Sequence, residues 1–310
     1  MTNEPTQDQP INVIYIAGWG RSGSTLLARI LAQFDGITHL GELRTLWVDG
    51  FKHSNLCGCG QPLKQCGVWQ AVIGSAFGDI EEIDAKAMTA LRRRQEPQSQ
   101  KLLKLLMLPG QQQKFMTESA AYRTVLATLY RSIHRHHQGA TIVDDSLHPG
   151  YAYLLNQVAN IQLHVVHLVR DPRATAYAWA HRQKQGLGIY QIRDSALGWG
   201  LRNTVTELLG WQRSVPYMRV RYEDFVQNPQ ATVDAVLALA QVTPRNSPFV
   251  GAAEVDLGVT HSAFGNSDRF NTGRTPIQFR EMWKQQMAPE ERRQVTRLTL
   301  PLLLRYGYQL

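Results

Sequence analysis

No apolar stretch of this chain is long enough to span a bilayer. The longest clump, LLKLLMLP from Leu102 to Pro109, falls far short of the roughly 20 residues that a spanning helix needs. The opening residues, MTNEPTQDQP, lack the basic start and apolar run of a secretory signal, and residues 1–10 are expected as a disordered tail. A cytoplasmic protein without a membrane span is the expectation. Gly/Ser-rich and Pro-rich linkers are missing, as are repeats of fixed period. Residues 11–310 are therefore expected to form one domain, with 43% hydrophobic residues from which to build its core. No long lysine or arginine run occurs either. The net charge of +8 is spread along the chain, which argues against nucleic acid as partner and for an anionic small ligand. Cysteine is scarce, and all three, Cys57, Cys59 and Cys66, fall within ten positions.

What the chain does contain is an alternation of short apolar runs and helical patterns. NVIYIAG (Asn12 to Gly18) reads as a buried strand, β-branched and ended by glycine. STLLARILAQF (Ser24 to Phe34) follows with Leu27, Ile30, Leu31 and Phe34 at helical spacing. GITHLGEL (Gly36 to Leu43) is expected to give a short second strand and a turn, and further strands are expected in ATIVDDS (Ala140 to Ser146), IQLHVVHLV (Ile161 to Val169) and VPYMRVRYEDF (Val215 to Phe225). Helical patterns cover Glu81 to Leu108, Ser119 to His137, Pro149 to Ala159 and Pro229 to Ala240. Another helix opens near Pro172, and two more close the chain after a Gly/Asn/Ser-rich stretch from Gly258 to Gly273. Strands alternating with helices predict an α/β fold, a parallel β-sheet flanked by helices on both faces.

The first strand runs into GWGRSGSTLL (Gly18 to Leu27), which satisfies two phosphate-binding patterns and completes neither. Gly18 to Gly23 is G-x-G-x-x-G, a dinucleotide fingerprint, and Glu42 stands 19 residues after Gly23, roughly where an acid binds ribose hydroxyls. Gly18 to Thr25 is also G-x-x-x-x-G-K-[ST] with Ser24 at the lysine position. Thr25 would then hold Mg²⁺, and ATIVDD would supply a metal-binding acid. In either case a glycine-rich turn between strand and helix is an anion site, because the first amides and the helix dipole favour negative charge. From these residues alone, a Mg²⁺-dependent P-loop kinase and an NAD(P)-binding oxidoreductase both stay open. Ser24 cannot supply the positive charge that spans outer phosphates; Arg21, in the middle of the loop, can.

With Arg21 in that role, Arg21-Ser22-Gly23-Ser24-Thr25 resembles the 5′-phosphosulfate loop of the sulfotransferases that use 3′-phosphoadenosine 5′-phosphosulfate (PAPS). In that family Lys or Arg precedes Ser-Gly-Thr/Ser-Thr. The 21-residue spacing from Arg21 to Glu42 is similar to that between loop arginine and catalytic glutamate in the tyrosylprotein branch. LVRDPRATAYAW (Leu168 to Trp179) resembles the family's 3′-phosphate segment, and HSAFGNSDRFNTG (His261 to Gly273) resembles the G-N-P-x-R-F stretch of bacterial members. The resemblance implies a P-loop-like sheet and PAPS as cofactor, with the bisphosphate PAP as product. It puts Arg21, Ser22, Gly23, Ser24 and Thr25 around the 5′ end, and Arg170 and Arg269 on the 3′-phosphate. Three positions depart from the pattern. Ala178 stands where a serine is usual eight residues after Arg170, Ser267 replaces a proline, and Leu147 in IVDDSLHP replaces the lysine of V-D-S-S-K. Thr175 or other arginines are expected to substitute for the missing serine.

The implied reaction moves SO₃ from the cofactor's phosphate to an acceptor, with charge building on the leaving phosphate. Arg21, helped by loop amides and the hydroxyls of Ser24 and Thr25, is expected to stabilise that charge. An alcohol acceptor must lose its proton during attack, and Glu42 is the expected base. No metal is expected at this centre, since a sulfuryl group carries less charge than a phosphoryl group. The expected acceptor is a hydroxyl of a small molecule, lipid or carbohydrate; no oligomeric state is assigned. Elsewhere, Cys57, Cys59 and Cys66 with His53 just upstream offer four zinc-ligating side chains. Their C-x-C spacing is not the usual one, so a loop disulfide or free thiols are expected instead. His134, His136 and His137 precede Gly139 and are expected at a helix C-terminus. Leu102 to Leu108 is expected as a buried helix.

Overall fold

The alternation of side chains along the first strand determines how the sheet must be covered. In β1 (Ile11–Gly18), Ile11, Val13, Tyr15 and Ala17 join one buried cluster, while Ile14 and Ile16 join another. A strand apolar on both faces belongs inside a sheet with helices on either side. The computed structural model has this arrangement and describes residues 9–108, 110–181, 190–212, 215–279 and 281–310. Five parallel strands run in the order β2 (Ile37–His39), β3 (Thr141–Leu147), β1, β4 (Ile161–Val169) and β5 (Tyr217–Arg221). Val13 lies opposite Ile142 of β3 and Leu163 of β4, so same-facing apolar residues pack in a row across the sheet. Of the tail expected over residues 1–10, all but the last two residues lie outside the described residues.

Helix α1 (Ser24–Leu31) follows β1 and covers the Ile14 face through Leu27, Ile30 and Leu31. The long connection from β2 to β3 carries α2 (Gly67–Phe77), α3 (Ala85–Gln95), α4 (Ser99–Met107), α5 (Gln111–Glu118) and α6 (Ala120–His136). Trp69, Val72 and Ile73 of α2 and Leu126, Leu129 and Ile133 of α6 cover the Tyr15 face. Helix α7 (Pro149–Leu155) joins β3 to β4, and α8 (Pro172–His181) and α9 (Ile192–Gly210) lie between β4 and β5. After β5, α10 (Tyr222–Gln227) and α11 (Pro229–Leu239) complete the Ile14 side. Helices α12 (Trp283–Gln286) and α13 (Pro289–Arg305) end the chain as the pattern predicts, with α13 packed on α8 and α9.

Over Gly36 to Leu43 the expected short strand and turn are present: β2 stops at His39, and a 3₁₀ turn (Leu43–Thr45) follows Glu42. Two details differ from the sequence expectation. A second, antiparallel sheet of β6 (Phe249–Gly251), β7 (Glu254–Leu257) and β8 (Gly273–Pro276) was not foreseen. Strands of three or four residues show too little alternation to register in a sequence window. In α4 only Leu102 and Leu105 are buried, while Met107 and Leu108 are exposed, so that run is half-covered rather than internal. Among the described residues, no helix is long and apolar enough to cross a membrane.

The topology also says where a ligand belongs. From β1 the chain crosses to β2 on one side; from β4 it crosses to β5 on the other. Between β1 and β4 the connections diverge, and a crevice opens beyond the C-terminal ends of the strands. In the dinucleotide fold the second strand lies directly beside the first; here β3 intervenes.

Candidate active site

The segment from Trp19 to Gly23 turns the chain from β1 into α1, and it does so with unusual backbone. Arg21 has φ of 68° and Gly23 φ of 93°. Gly23 caps α1 in the left-handed conformation without a side-chain cap, and a Cβ there would meet the Tyr222 ring at 2.5 Å. The first turn of α1 contains no acid. Gly23, Ser24 and Thr25 line a cavity of about 510 Å³, so the helix opens onto it with its positive end.

That cavity gathers most of the residues singled out in the sequence. Arg21, Gly23, Ser24, Thr25, Glu42, Arg170 and Ala178 all form part of its wall. The Arg21 guanidinium lies 5.2 Å from the Trp179 ring centroid. Arg170 sits at the end of β4, where Nη1 donates to the Arg21 carbonyl at 3.0 Å. Its guanidinium also stacks 4.3 Å over Tyr222. In the R-D-P-R segment the two arginines divide the work. Asp171 takes Arg173 at 2.7 Å, and Arg173 stacks on Trp283, so this pair serves local structure while Arg170 reaches the crevice.

Glu42 and Asp268 are the acids on the cavity wall, and Glu42 is the one singled out by the sequence. It stands at the start of the 3₁₀ turn, with part of its surface open to the cavity. Burial raises its pKa to about 8, Asp145, Asp49 and Asp144 add to the rise, and Arg44 opposes them. The two aspartates of β3 turn inward instead. Asp144 accepts from Tyr130 and from the amide of Ser146, and Asp145 Oδ1 lies 2.9 Å from His39 Nε2.

Other expectations fall elsewhere. Ser22 is buried and is not on the cavity wall. Arg269 is buried as well, and its guanidinium donates to the carbonyls of Gly265 at 2.6 Å and Leu56 at 3.0 Å. It too is off the cavity wall. Thr175 does not take the missing serine's place, because it is fully buried and its hydroxyl donates to the Pro172 carbonyl at 3.1 Å. The cysteines form no disulfide: Cys57 Sγ and Cys66 Sγ lie 3.5 Å apart.

Four basic residues on the wall escaped the sequence reading: Arg29, Arg44, His148 and Arg202. Arg44 Nε lies 2.6 Å from Glu96 Oε1, and Glu96 also holds Arg92 at 2.8 Å and meets His148 Nδ1 at 2.9 Å. Burial depresses His148 to about 4, which favours its neutral form. Arg202 stacks 4.7 Å over Trp19, and burial lowers its pKa to about 10, still charged at neutral pH. A signal for Arg202 was present. It follows Trp199 by three positions on the face of α9 that buries Ser195, Ala196, Trp199 and Asn203, where a solvated arginine has no place.

The model of a family described as the sulfotransferase family matches residues 13–244. The sulfotransferase domain from the Synechococcus PCC 7002 olefin synthase superposes with a TM-score of 0.55 at 20% identity, covering 100% of this chain and 99% of that domain. The sulfotransferase domain from the curacin biosynthetic pathway gives a TM-score of 0.54 at 18% identity, covering 97% and 99%. At such identities the structural likeness is one of fold. No curated protein matches the chain.

Proposed function

The chain belongs to the sulfotransferase family, and from that premise we propose that it transfers a sulfuryl group from PAPS to a hydroxyl of a small-molecule, lipid or carbohydrate acceptor. The observation that carries this reading is the meeting of two cationic segments on one cavity. Arg170 donates to the backbone of Arg21 across 149 positions of sequence, with the uncapped start of α1 beside them. PAPS, when bound, supplies a sulfuryl group already activated on a 5′-phosphate. Arg21, the hydroxyls of Ser24 and Thr25 and the first amides of α1 hold that end and counter the charge on the departing phosphate oxygen. Arg170 takes the 3′-phosphate, for which a guanidinium with two donors is suited.

Glu42 accepts the acceptor's proton. As the acceptor oxygen bonds to sulfur, the bond from sulfur to the phosphate oxygen breaks and its electron pair leaves with the phosphate. A base whose pKa is about 8 is matched to proton transfer near neutral pH. In this reading Arg269 braces the wall rather than binding the cofactor, since its guanidinium is engaged by Gly265 and Leu56. Tyr177, Trp179, Tyr190 and Trp283 give the cavity an aromatic side, which suits an acceptor with an apolar or sugar-ring body.

The rivals are less well supported. The kinase reading takes its Mg²⁺-binding acid from ATIVDD, but Asp144 and Asp145 are buried, off the cavity wall and bonded to Tyr130, Ser146 and His39. An oxidoreductase needs the second strand beside the first, and β3 stands between them. Calorimetric titration with PAP, 5′-AMP, ATP·Mg²⁺ and NADP tests the reading. Tight, metal-independent binding of PAP that weakens greatly without the 3′-phosphate is expected. Binding of ATP·Mg²⁺ or NADP in preference to PAP would replace it with the corresponding rival.

A further inference from the structure

The loop before α2 carries chemistry that the cavity does not use. Cys57, Cys59 and Cys66 come from this loop, and His261 follows 195 positions after Cys66. Yet their four ligand atoms lie within 4.8 Å of one another. Cys57 Sγ is 3.5 Å from Cys66 Sγ, and His261 Nδ1 is 3.2 Å from Cys66 Sγ and 3.9 Å from Cys57 Sγ. Disulfide sulfurs stand about 2.05 Å apart, so these distances describe something else. Around a tetrahedral zinc, with bonds of about 2.3 Å to sulfur and about 2.0 Å to nitrogen, two sulfurs stand roughly 3.8 Å apart and sulfur and nitrogen roughly 3.5 Å apart. The distances here fall around those values.

We propose that Cys57, Cys59, Cys66 and His261 bind one Zn²⁺ in a structural site distinct from the cavity. Three thiolates and an imidazole at tetrahedral spacing are a donor set that suits zinc. The backbone is shaped for it. Leu56 pairs with Pro62, Cys57 N donates to Gln61 O at 2.8 Å and Gly60 N to Cys57 O at 2.8 Å, so the C-G-C-G turn curls both sulfurs to one side. Gly58 N donates to Ser262 O at 2.9 Å, and a Cβ on Gly58 would stand 2.3 Å from Thr260 O. Glycine is therefore what lets the loop close on the histidine's segment. Cys66 caps α2, whose N-terminal dipole favours a thiolate. Trp69 Nε1 donates to the His261 carbonyl at 2.9 Å and holds the fourth ligand's backbone in place. His53, the neighbour nearest in sequence, is exposed and outside the cluster.

The site has a structural task. Arg269 reaches from the histidine's segment to the carbonyl of Leu56, the residue before Cys57, and Asn266 of the same segment lines the cavity. Zinc bound at this corner clamps one wall of the cavity to the cysteine loop. The inference stands independently of the transferase reading, since it uses none of the cavity's residues as ligands.

Elemental analysis by mass spectrometry tests it, on the full chain expressed without a polyhistidine tag in zinc-supplemented medium. One zinc per chain, retained through dialysis, is expected. Cys59→Ser and His261→Ala should each reduce the content to background, while His261→Cys should keep it, a thiolate replacing the imidazole. Cys59 is the least buried of the three cysteines, so circular dichroism should show Cys59→Ser folded even where the buried positions do not tolerate change. Cobalt added to the apo chain should give the thiolate charge-transfer absorption of a tetrahedral centre. A reduced chain that takes up neither zinc nor cobalt would overturn the proposal, as would metal content unaffected by Cys59→Ser and His261→Ala.

Discussion

The glycine-rich turn and the cysteine corner are built from opposite kinds of sequence. The turn is continuous: Gly18 to Thr25 supply its glycines, its cation and its hydroxyls, and the strand and helix on either side fix its shape. The corner is assembled from a loop and a histidine 195 positions beyond its last cysteine. A motif that acts through its own backbone must be written contiguously, because neighbouring φ and ψ angles make the site. A set of ligands needs only four atoms near one point, and the fold can bring those from anywhere. In the roles proposed above the two also differ in task, the turn shaping a reaction and the corner shaping the protein that holds it.

That division of labour predicts which variants change rate or binding and which change stability. The largest effect belongs to the cavity. Glu42→Gln should lower kcat by about 10²–10⁴-fold, the usual range for a lost general base, with PAP affinity and melting temperature unchanged. The wild-type rate carries a matching pH signature. Glu42 must be deprotonated to act, and its pKa is raised to about 8, so kcat/KM should fall about tenfold per unit of pH below that value. A profile flat from neutral to mildly acidic pH, or kcat unchanged in the variant, would remove Glu42 from the mechanism.

Metal removal should do the reverse. Chelation is expected to lower the melting temperature by roughly 5–10 °C, as a loss of a few kcal/mol does at about 2–4 °C each. Turnover measured well below the transition should stay near wild type. If chelation abolished turnover in a chain still folded by circular dichroism, the two regions would not be separable in this way. Next in size is Arg170→Ala, which should weaken PAP binding by about 10–100-fold while leaving 5′-AMP nearly unaffected, consistent with about 1.5–3 kcal/mol for hydrogen bonds to a charged group. Equal losses for both nucleotides in the titration would place Arg170 elsewhere. The smallest effect is a gain. Ala178→Ser adds a hydroxyl to the cavity wall and should tighten PAP binding by up to about tenfold; no change would mean that position 178 does not face the 3′-phosphate.

Much of the fold was legible because the central strands carry a strong signal. β1 and β4 are buried on both faces, and their unbroken apolar runs, each followed by a polar turn and a helix, have few other readings. The placement of Arg21 and Arg170 on the cavity wall was legible for the same reason, since each lies in the turn that leaves such a strand. The short strands of the second sheet were not, and neither was the inward turn of Asp144 and Asp145, which depends on Tyr130 and His39 lying beneath them. Arg269 was read as a ligand-binding cation. Its carbonyl partners, Gly265 and Leu56, are backbone groups that no residue pattern announces.

By itself the sequence determined the strand–turn–helix units and the charges placed on their turns, because local backbone preference and side-chain alternation act over a few neighbouring residues. Only the tertiary structure decided the rest. Packing set β3 between β1 and β2. It buried Glu42 and set Asp145, Asp49 and Asp144 near it, so that its pKa is raised to about 8. It also chose His261 over His53 as the partner of the three cysteines. Each of these depends on distances between residues far apart in the chain, and such distances come into being only when the helices close over the sheet.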